Sequence, residues 1–215
     1  MLYQAFETVI DMDSNNKESW ISNIKEIFSF LNLDYLYQHS NKYPIEHIIT
    51  KVKYALKNKF DNLWLKAMSD DYKTKSGVGS KLRTYRTFKN IFKMEQYLNY
   101  GTEKTRRLLT KFRVSAHNLK IEKGRYCNLE VENRKCDLCK NNIEDEIHFL
   151  IVCPKLDTHR KPYFQLINKY NKNFNSLSNC SKFIWLLSNE DKYIINILFK
   201  MLEKLSRIRE ELLKE

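Results

Sequence analysis

The spacing C-x2-C-x8-H-x4-C formed by Cys136, Cys139, His148 and Cys153 constrains this chain more than any other feature. Two cysteines separated by two residues can reach one ion from a single tight turn. A histidine and a cysteine arriving after a loop long enough to reverse direction then supply a facing pair, so the four meet the tetrahedral demand of Zn2+. A closed Cys3His set leaves no coordination position for an activated water. The predicted zinc is therefore structural, and a zinc hydrolase is disfavoured. Cys127 and Cys180 fall outside the spacing and are expected to be ordinary thiols. Met1 to Asp13 lacks the apolar, cleavable pattern of a secretory signal, so an intracellular, nuclear or cytoplasmic location without disulfides is expected.

Four glycines and three prolines in 215 residues, with abundant Leu, Ile, Lys and Glu, favour a mainly α-helical protein over a turn-rich sheet. No apolar run approaches the roughly 18 residues that a membrane span needs, so no membrane partner is expected. Trp20, Ile24, Ile27, Phe28 and Leu31 recur at helical spacing, with Ser14, Asn15 and Asn16 upstream as candidate caps. A second helix is predicted from Pro44, with Ile45, Ile48, Ile49, Val52, Leu56, Phe60, Leu63 and Trp64 on its apolar face. The clustered glycines of Ser76-Gly77-Val78-Gly79-Ser80 mark a hinge. The expected organisation is a helical region over 1–75, the hinge at 76–80, a basic helical segment over 81–125, a zinc module over 126–160 and a C-terminal helical region over 161–215.

The formal charge of +12 is unevenly placed. Residues 1–75 balance ten lysines with ten acids, residues 76–135 carry fifteen Lys and Arg against five acids, and residues 136–215 carry thirteen against eleven. A positive excess gathered just before a zinc site has the footprint of a phosphate-backbone binder, whereas the plain alternative is a solubilising surface. Leu82, Tyr85, Phe88 and Phe92 share a helical face, more often a core stripe than a base-stacking one, and Arg83, Arg86 and Lys93 lie on a neighbouring face. After Gly101, Thr102 can cap a helix running to about Asn118, with Leu108, Phe112, Ala116 and Leu119 as its buried stripe. Arg106, Arg107, Lys111 and Arg113 flank that stripe, and Lys120, Lys123 and Arg125 carry the charge onward to Tyr126. These cations are the expected phosphate contacts, and Tyr126 is the candidate stacking residue.

The residues Arg107-Leu108-Leu109-Thr110-Lys111-Phe112-Arg113, followed by Ile121-Glu122-Lys123-Gly124-Arg125-Tyr126, resemble the lead-in of the reverse-transcriptase zinc-binding domain family. The resemblance continues through Cys136-x2-Cys139, Glu144-Asp145-Glu146-x-His148-Phe149 and Cys153-Pro154, and covers roughly residues 104–163. It implies descent from the C-terminal region of a jockey-like, non-LTR retrotransposon protein. It also implies an RNA or DNA partner, and the polymerase domain of the same element as a further one. Polymerase activity is not implied. The aromatic-x-Asp-Asp motif is missing, and Asp70-Asp71 has its aromatic, Tyr72, on the wrong side, so a helix-end or turn role is expected there and the chain is expected not to be an enzyme.

Glu144, Asp145 and Glu146, if helical, fan out by about 100° each and cannot converge on one ion as a nuclease would need. Asn141 or Asn142 is expected to cap their helix, with one acid available to orient the free imidazole nitrogen of His148. His39, His47 and His117 have no ligand-spaced neighbours and are expected to be surface or core histidines. Ile194, Leu198, Met201, Leu205, Ile208 and Leu212 form a short heptad seam, expected to pack against the domain, with weak dimerisation through 194–212 as the alternative. Two other functions compete: a zinc-stapled protein-interaction module using this last helix, and, less favoured, a zinc hydrolase or nuclease.

Overall fold

A computed structural model describes residues 19–39, 42–72 and 81–214. The capping candidates at Ser14 to Asn16 and the hinge at 76–80 lie outside them. The fold is mainly α. Among the described residues the one extended pairing is an isolated antiparallel bridge between Lys135 and Ile143.

The chain divides into two units, Met1–Leu65 and Lys66–Glu215. The first holds α1 (Trp20–Phe30), α2 (Asp34–Gln38) and most of α3 (Ile45–Tyr72). Ser19, not the serine and asparagines upstream, caps α1: its hydroxyl accepts from Ser22 N–H and its own N–H donates to the Ser22 hydroxyl. Leu31, Leu33 and Leu36 form a small core backed by Phe28, Val52 and Leu56. Much of the expected apolar face of α3 is exposed, with Ile49, Phe60 and Leu63 each more than two fifths accessible.

The second unit contains α4 (Tyr85–Phe88), α5 (Glu103–Arg113), α6 (Lys120–Tyr126), α7 (Asp157–Tyr170), α8 (Asn179–Ser188) and α9 (Lys192–Leu212). One core runs from Phe88 to Leu205, and Cys136 and Cys153 belong to it. The segment that carries these two cysteines is thus embedded in the unit's packing. The seam residues Ile194, Leu198, Met201 and Leu205 are all buried within the unit, as the expectation of packing against the domain requires. Helix α9 contacts α5, α7 and α8.

Thr102 caps α5 through a reciprocal box with Thr105, as its position after Gly101 predicts. Gly101 has φ +69°, and a Cβ there would sit 2.6 Å from the Thr105 hydroxyl and 2.7 Å from the Phe199 ring. The helix ends at Arg113, five residues short of the predicted boundary, because Ser115 turns into the left-handed region at φ +52°. That break changes the stripe: Leu109 and Phe112 are buried and Ala116 is exposed.

At the start of the unit, Asp71 is the turn acid expected of the Asp70-Asp71 pair. Its carboxylate accepts the N–H groups of Lys81 at 3.2 Å and Leu82 at 2.8 Å. No described helix is long and apolar enough to cross a membrane.

Candidate metal centre and basic groove

The cysteine pair is presented by a knuckle. Cys136 N–H donates to Asn142 O at 2.8 Å, Glu144 N–H to Arg134 O at 2.9 Å, and Lys140 N–H returns to Cys136 O at 2.8 Å. Closing so tight a turn requires a left-handed residue after the second cysteine, and Lys140 takes that place at φ +60°. The backbone N–H groups of Cys139 and Leu138 favour the thiolate of Cys136.

The second pair rests on a π-turn over His148–Val152, in which Cys153 N–H donates to His148 O at 2.7 Å. On an α-helix, positions five apart diverge by about 140°, so H-x4-C would aim its ligands apart. The wider i to i+5 turn brings both side chains to one side. Arg160, 1% exposed, secures this unusual turn by donating to Ile151 O at 2.6 Å and Cys153 O at 2.8 Å.

The four donor atoms lie within 4.8 Å of one another. Cys136 Sγ is 3.9 Å from Cys153 Sγ, and Cys139 Sγ is 3.4 Å from His148 Nε2. A tetrahedral ion with bonds of about 2.3 Å to sulfur and 2.0–2.1 Å to nitrogen needs S···S near 3.8 Å and S···N near 3.6 Å, so the donors fit a metal ion. Cys136, Cys153 and His148 are buried. Without an ion, the hydrogen bond to Cys153 and then burial push the Cys136 thiol up to about 12, while the same hydrogen bond lowers Cys153. Burial pulls His148 down, but the surrounding thiols outweigh it and the net direction is up. A cation at the centre would take over the role of that shared proton.

The acids before His148 behave differently from the sequence expectation. Asp145, not Asn141 or Asn142, is the cap: its Oδ1 accepts His148 N–H at 2.7 Å and its backbone oxygen accepts Phe149 N–H. Among the described residues no acid holds the free imidazole nitrogen: His148 Nδ1 is buried and meets no hydrogen-bond partner there. Orientation comes through the main chain instead. Glu144 and Glu146 are buried and engage different partners, but Glu144 and Asp145 lie outside any helix, so it is the turn after the Lys135–Ile143 bridge and not helical spacing that parts them. Glu144 accepts Arg209 Nε and Nη2 at 2.7 Å each and Lys120 N–H at 2.7 Å. Glu146 accepts Arg83 at 2.7 Å, the Ser115 hydroxyl at 2.7 Å and His117 Nε2 at 2.8 Å. Burial pushes the Glu146 carboxyl up, but His117, Arg83 and Ser115 prevail and hold it at about 2.

Carboxylates of the unit claim several of the expected phosphate contacts. Arg113 is a core residue, 4% exposed, donating to Leu187 O and Glu95 and lying over the rings of Phe88 and Tyr97. It cannot reach a ligand in solvent. Arg83 bridges Glu122 and Glu146, and Arg125 pairs with Glu122 at 3.0 Å while covering the ring of Tyr126. Lys120 meets Asp137 at 3.2 Å, Lys93 pairs with Glu190, and Arg86 is half-buried. His117, expected to be a surface or core histidine, is half-buried and bonded to Glu146. Tyr126 and Lys123 are exposed, and Arg106 donates to Gly101 O at 2.9 Å.

The cations that converge do so elsewhere. An open groove of about 1220 Å³ lies between α5 and α9, lined by Lys104, Arg107 and Lys111 from α5 and Lys200, Lys204 and Arg207 from α9. Glu103, Glu203 and Glu210 are its carboxylates. Lys104 touches Glu203 at 2.6 Å and Arg107 touches Glu103 at 3.4 Å, in exposed pairs of the kind that contribute little to stability. The three α9 cations were absent from the sequence prediction. The signal that would have found them is their four- and three-residue spacing along a stripe beside the apolar seam. Compared with protein-family models, curated proteins and solved structures, the chain matches none.

Proposed function

We propose that this chain is a non-catalytic, zinc-stabilised module that binds the phosphate backbone of nucleic acid. The observation that carries the reading is the groove in which six cations from two helices face one another against three carboxylates. Phosphate can displace weak exposed ion pairs at little cost, and each contact releases condensed counterions. The metal is zinc on its donor chemistry, three thiolates and an imidazole with no open position. It holds the segment between α6 and α7, whose buried Glu144 grips Arg209 on α9 and so fixes one wall of the groove. The ordered C-x2-C, E-D-E-x-H-F and C-P elements support placing such a module beside a reverse-transcriptase polymerase domain of retrotransposon type.

The test is anisotropy of a labelled random single strand, as RNA and as DNA, titrated with the zinc-loaded chain from 50 to 200 mM salt. With about four phosphate contacts, log Kobs should fall with log[salt] at a slope near −3, and Lys200→Ala with Lys204→Ala should reduce that slope by about 1.4. Binding that does not weaken with salt, or a double variant with an unchanged slope, would refute the assignment.

A further inference from the structure

Beyond Tyr163 and Lys200 at the groove's edge, the same two helices carry an aromatic pair. Tyr193 lies seven residues before Lys200 on α9, and Tyr170 lies seven residues after the groove-lining Tyr163 on α7, so each shares a helical face with its groove residue. The two helices run antiparallel along this edge. The Tyr163 hydroxyl donates to Lys200 O at 3.4 Å, and one step along the surface the rings of Tyr170 and Tyr193 stack at 4.3 Å with 27° between their planes. From Tyr193 to Arg207 the stripe is about 21 Å long.

The pair joins α7 to α9 without entering the core. Aromatic contacts that belong to the core are tilted or edge-on, as between Phe112 and Phe149 or Phe174 and Trp185, and Phe112, Phe149 and Phe174 are under 5% exposed. Tyr170 and Tyr193 are 57% and 42% exposed. A stacked pair whose rings stay accessible, at the end of a line of lysines, has the composition of a site for unpaired bases: cations follow the backbone and π-faces accept whichever base arrives. Bases inside a duplex already stack on their neighbours and cannot add to it.

We propose that Tyr170 and Tyr193 form a base-stacking platform that makes the groove select single-stranded over double-stranded nucleic acid. This rests on the reading of the groove as a phosphate site. The zinc-loaded full chain is titrated with a labelled 16-nucleotide single strand, as DNA and as RNA, and with duplexes of the same sequence. The variants are Tyr170→Ala/Tyr193→Ala, Tyr170→Phe/Tyr193→Phe and Lys200→Ala/Lys204→Ala, each checked for helicity by circular dichroism.

The wild type should prefer the single strand by tenfold or more. The alanine pair should lose roughly tenfold on the single strand and less than twofold on the duplex, and the phenylalanine pair should retain wild-type affinity. Undiminished single-strand affinity in the alanine pair, while the lysine pair loses binding, overturns the platform and leaves the groove standing. Equal or tighter duplex binding by the wild type also overturns the platform. Failure of the wild type to bind any strand overturns both. The DNA and RNA arms identify which polymer the platform takes.

Discussion

Gly124 offers a test in which the sign of the effect decides the argument. It lies inside α6, where alanine should normally gain about 1 kcal/mol through helix propensity. A Cβ at this position, however, would stand 2.6 Å from Arg134 Cγ, 2.7 Å from Cδ and 2.9 Å from Nε. These are atoms in the middle of a side chain that has nowhere to go. Arg134 is 1% exposed, and its guanidinium donates to Leu129 O at 2.8 and 2.6 Å and to Ile121 O at 3.0 Å. Overpacking costs about 1–3 kcal/mol, and each charge-assisted hydrogen bond lost in relieving it costs about 1.5–3 kcal/mol more. Set against the helix gain, Gly124→Ala should destabilise the unit by about 2 kcal/mol.

The measurement is urea unfolding at fixed excess metal, followed by circular dichroism and by the thiolate-to-cobalt absorption of the Co2+-loaded chain. The midpoint should fall with an unchanged slope. In an Arg134→Ala background the obstruction is gone, and the same Gly124→Ala change should turn stabilising by about 1 kcal/mol, a coupling of about 3 kcal/mol across the cycle. An alanine at 124 that stabilises the unaltered chain would refute the packing argument outright.

Cys139→Ser should lose stoichiometric zinc. Because Cys136 and Cys153 are part of the unit's main core, chelation should cost helicity well beyond residues 125–160, with metal binding contributing on the order of 10 kcal/mol to folding; full metal occupancy in the serine variant would sink the four-ligand assignment. Glu146, held at about 2 against an ordinary 4.5, contributes stability that is fully present above about pH 4.5 and lost as pH falls towards 2, about 3 kcal/mol in all. The wild-type advantage over Glu146→Gln, read at matched excess metal, should therefore shrink across that interval, and a pH-independent difference would contradict it. Arg113→Ala should destabilise by about 3 kcal/mol while leaving the oligonucleotide affinity of the folded fraction unchanged, whereas the neighbouring groove residue changed by Lys111→Ala should do the reverse. Loss of affinity in a fully folded Arg113→Ala chain would return that arginine to the interface.

Arg113 and Lys111 also show where the sequence stops being legible. The two cations are two positions apart on α5, and nothing local distinguishes them. What separates them is Glu95, eighteen residues away in sequence, and the Leu187 carbonyl, seventy-four away. The candidate metal cluster was legible for the opposite reason: its chemistry is written within eighteen consecutive positions, and any chain that gathers such residues has few other uses for so many thiols. Even there the backbone solution was hidden, because H-x4-C read with α-helical spacing points the ligands apart and only a π-turn makes it work.

Segment charge misled in both directions. The excess over 76–135 overstated the available cations, since Arg83, Arg113 and Arg125 are tied to Glu146, Glu95 and Glu122. The near-neutral last segment concealed Lys200, Lys204 and Arg207, because its eleven acids, Glu203 and Glu210 of the groove among them, nearly cancel its thirteen cations in the sum. Net charge sums over a segment, but a phosphate meets one face. The pattern that predicts such a face is the periodic remainder left after the apolar seam of a helix is assigned, and on α9 that remainder includes Tyr193, Lys200, Lys204 and Arg207 in register.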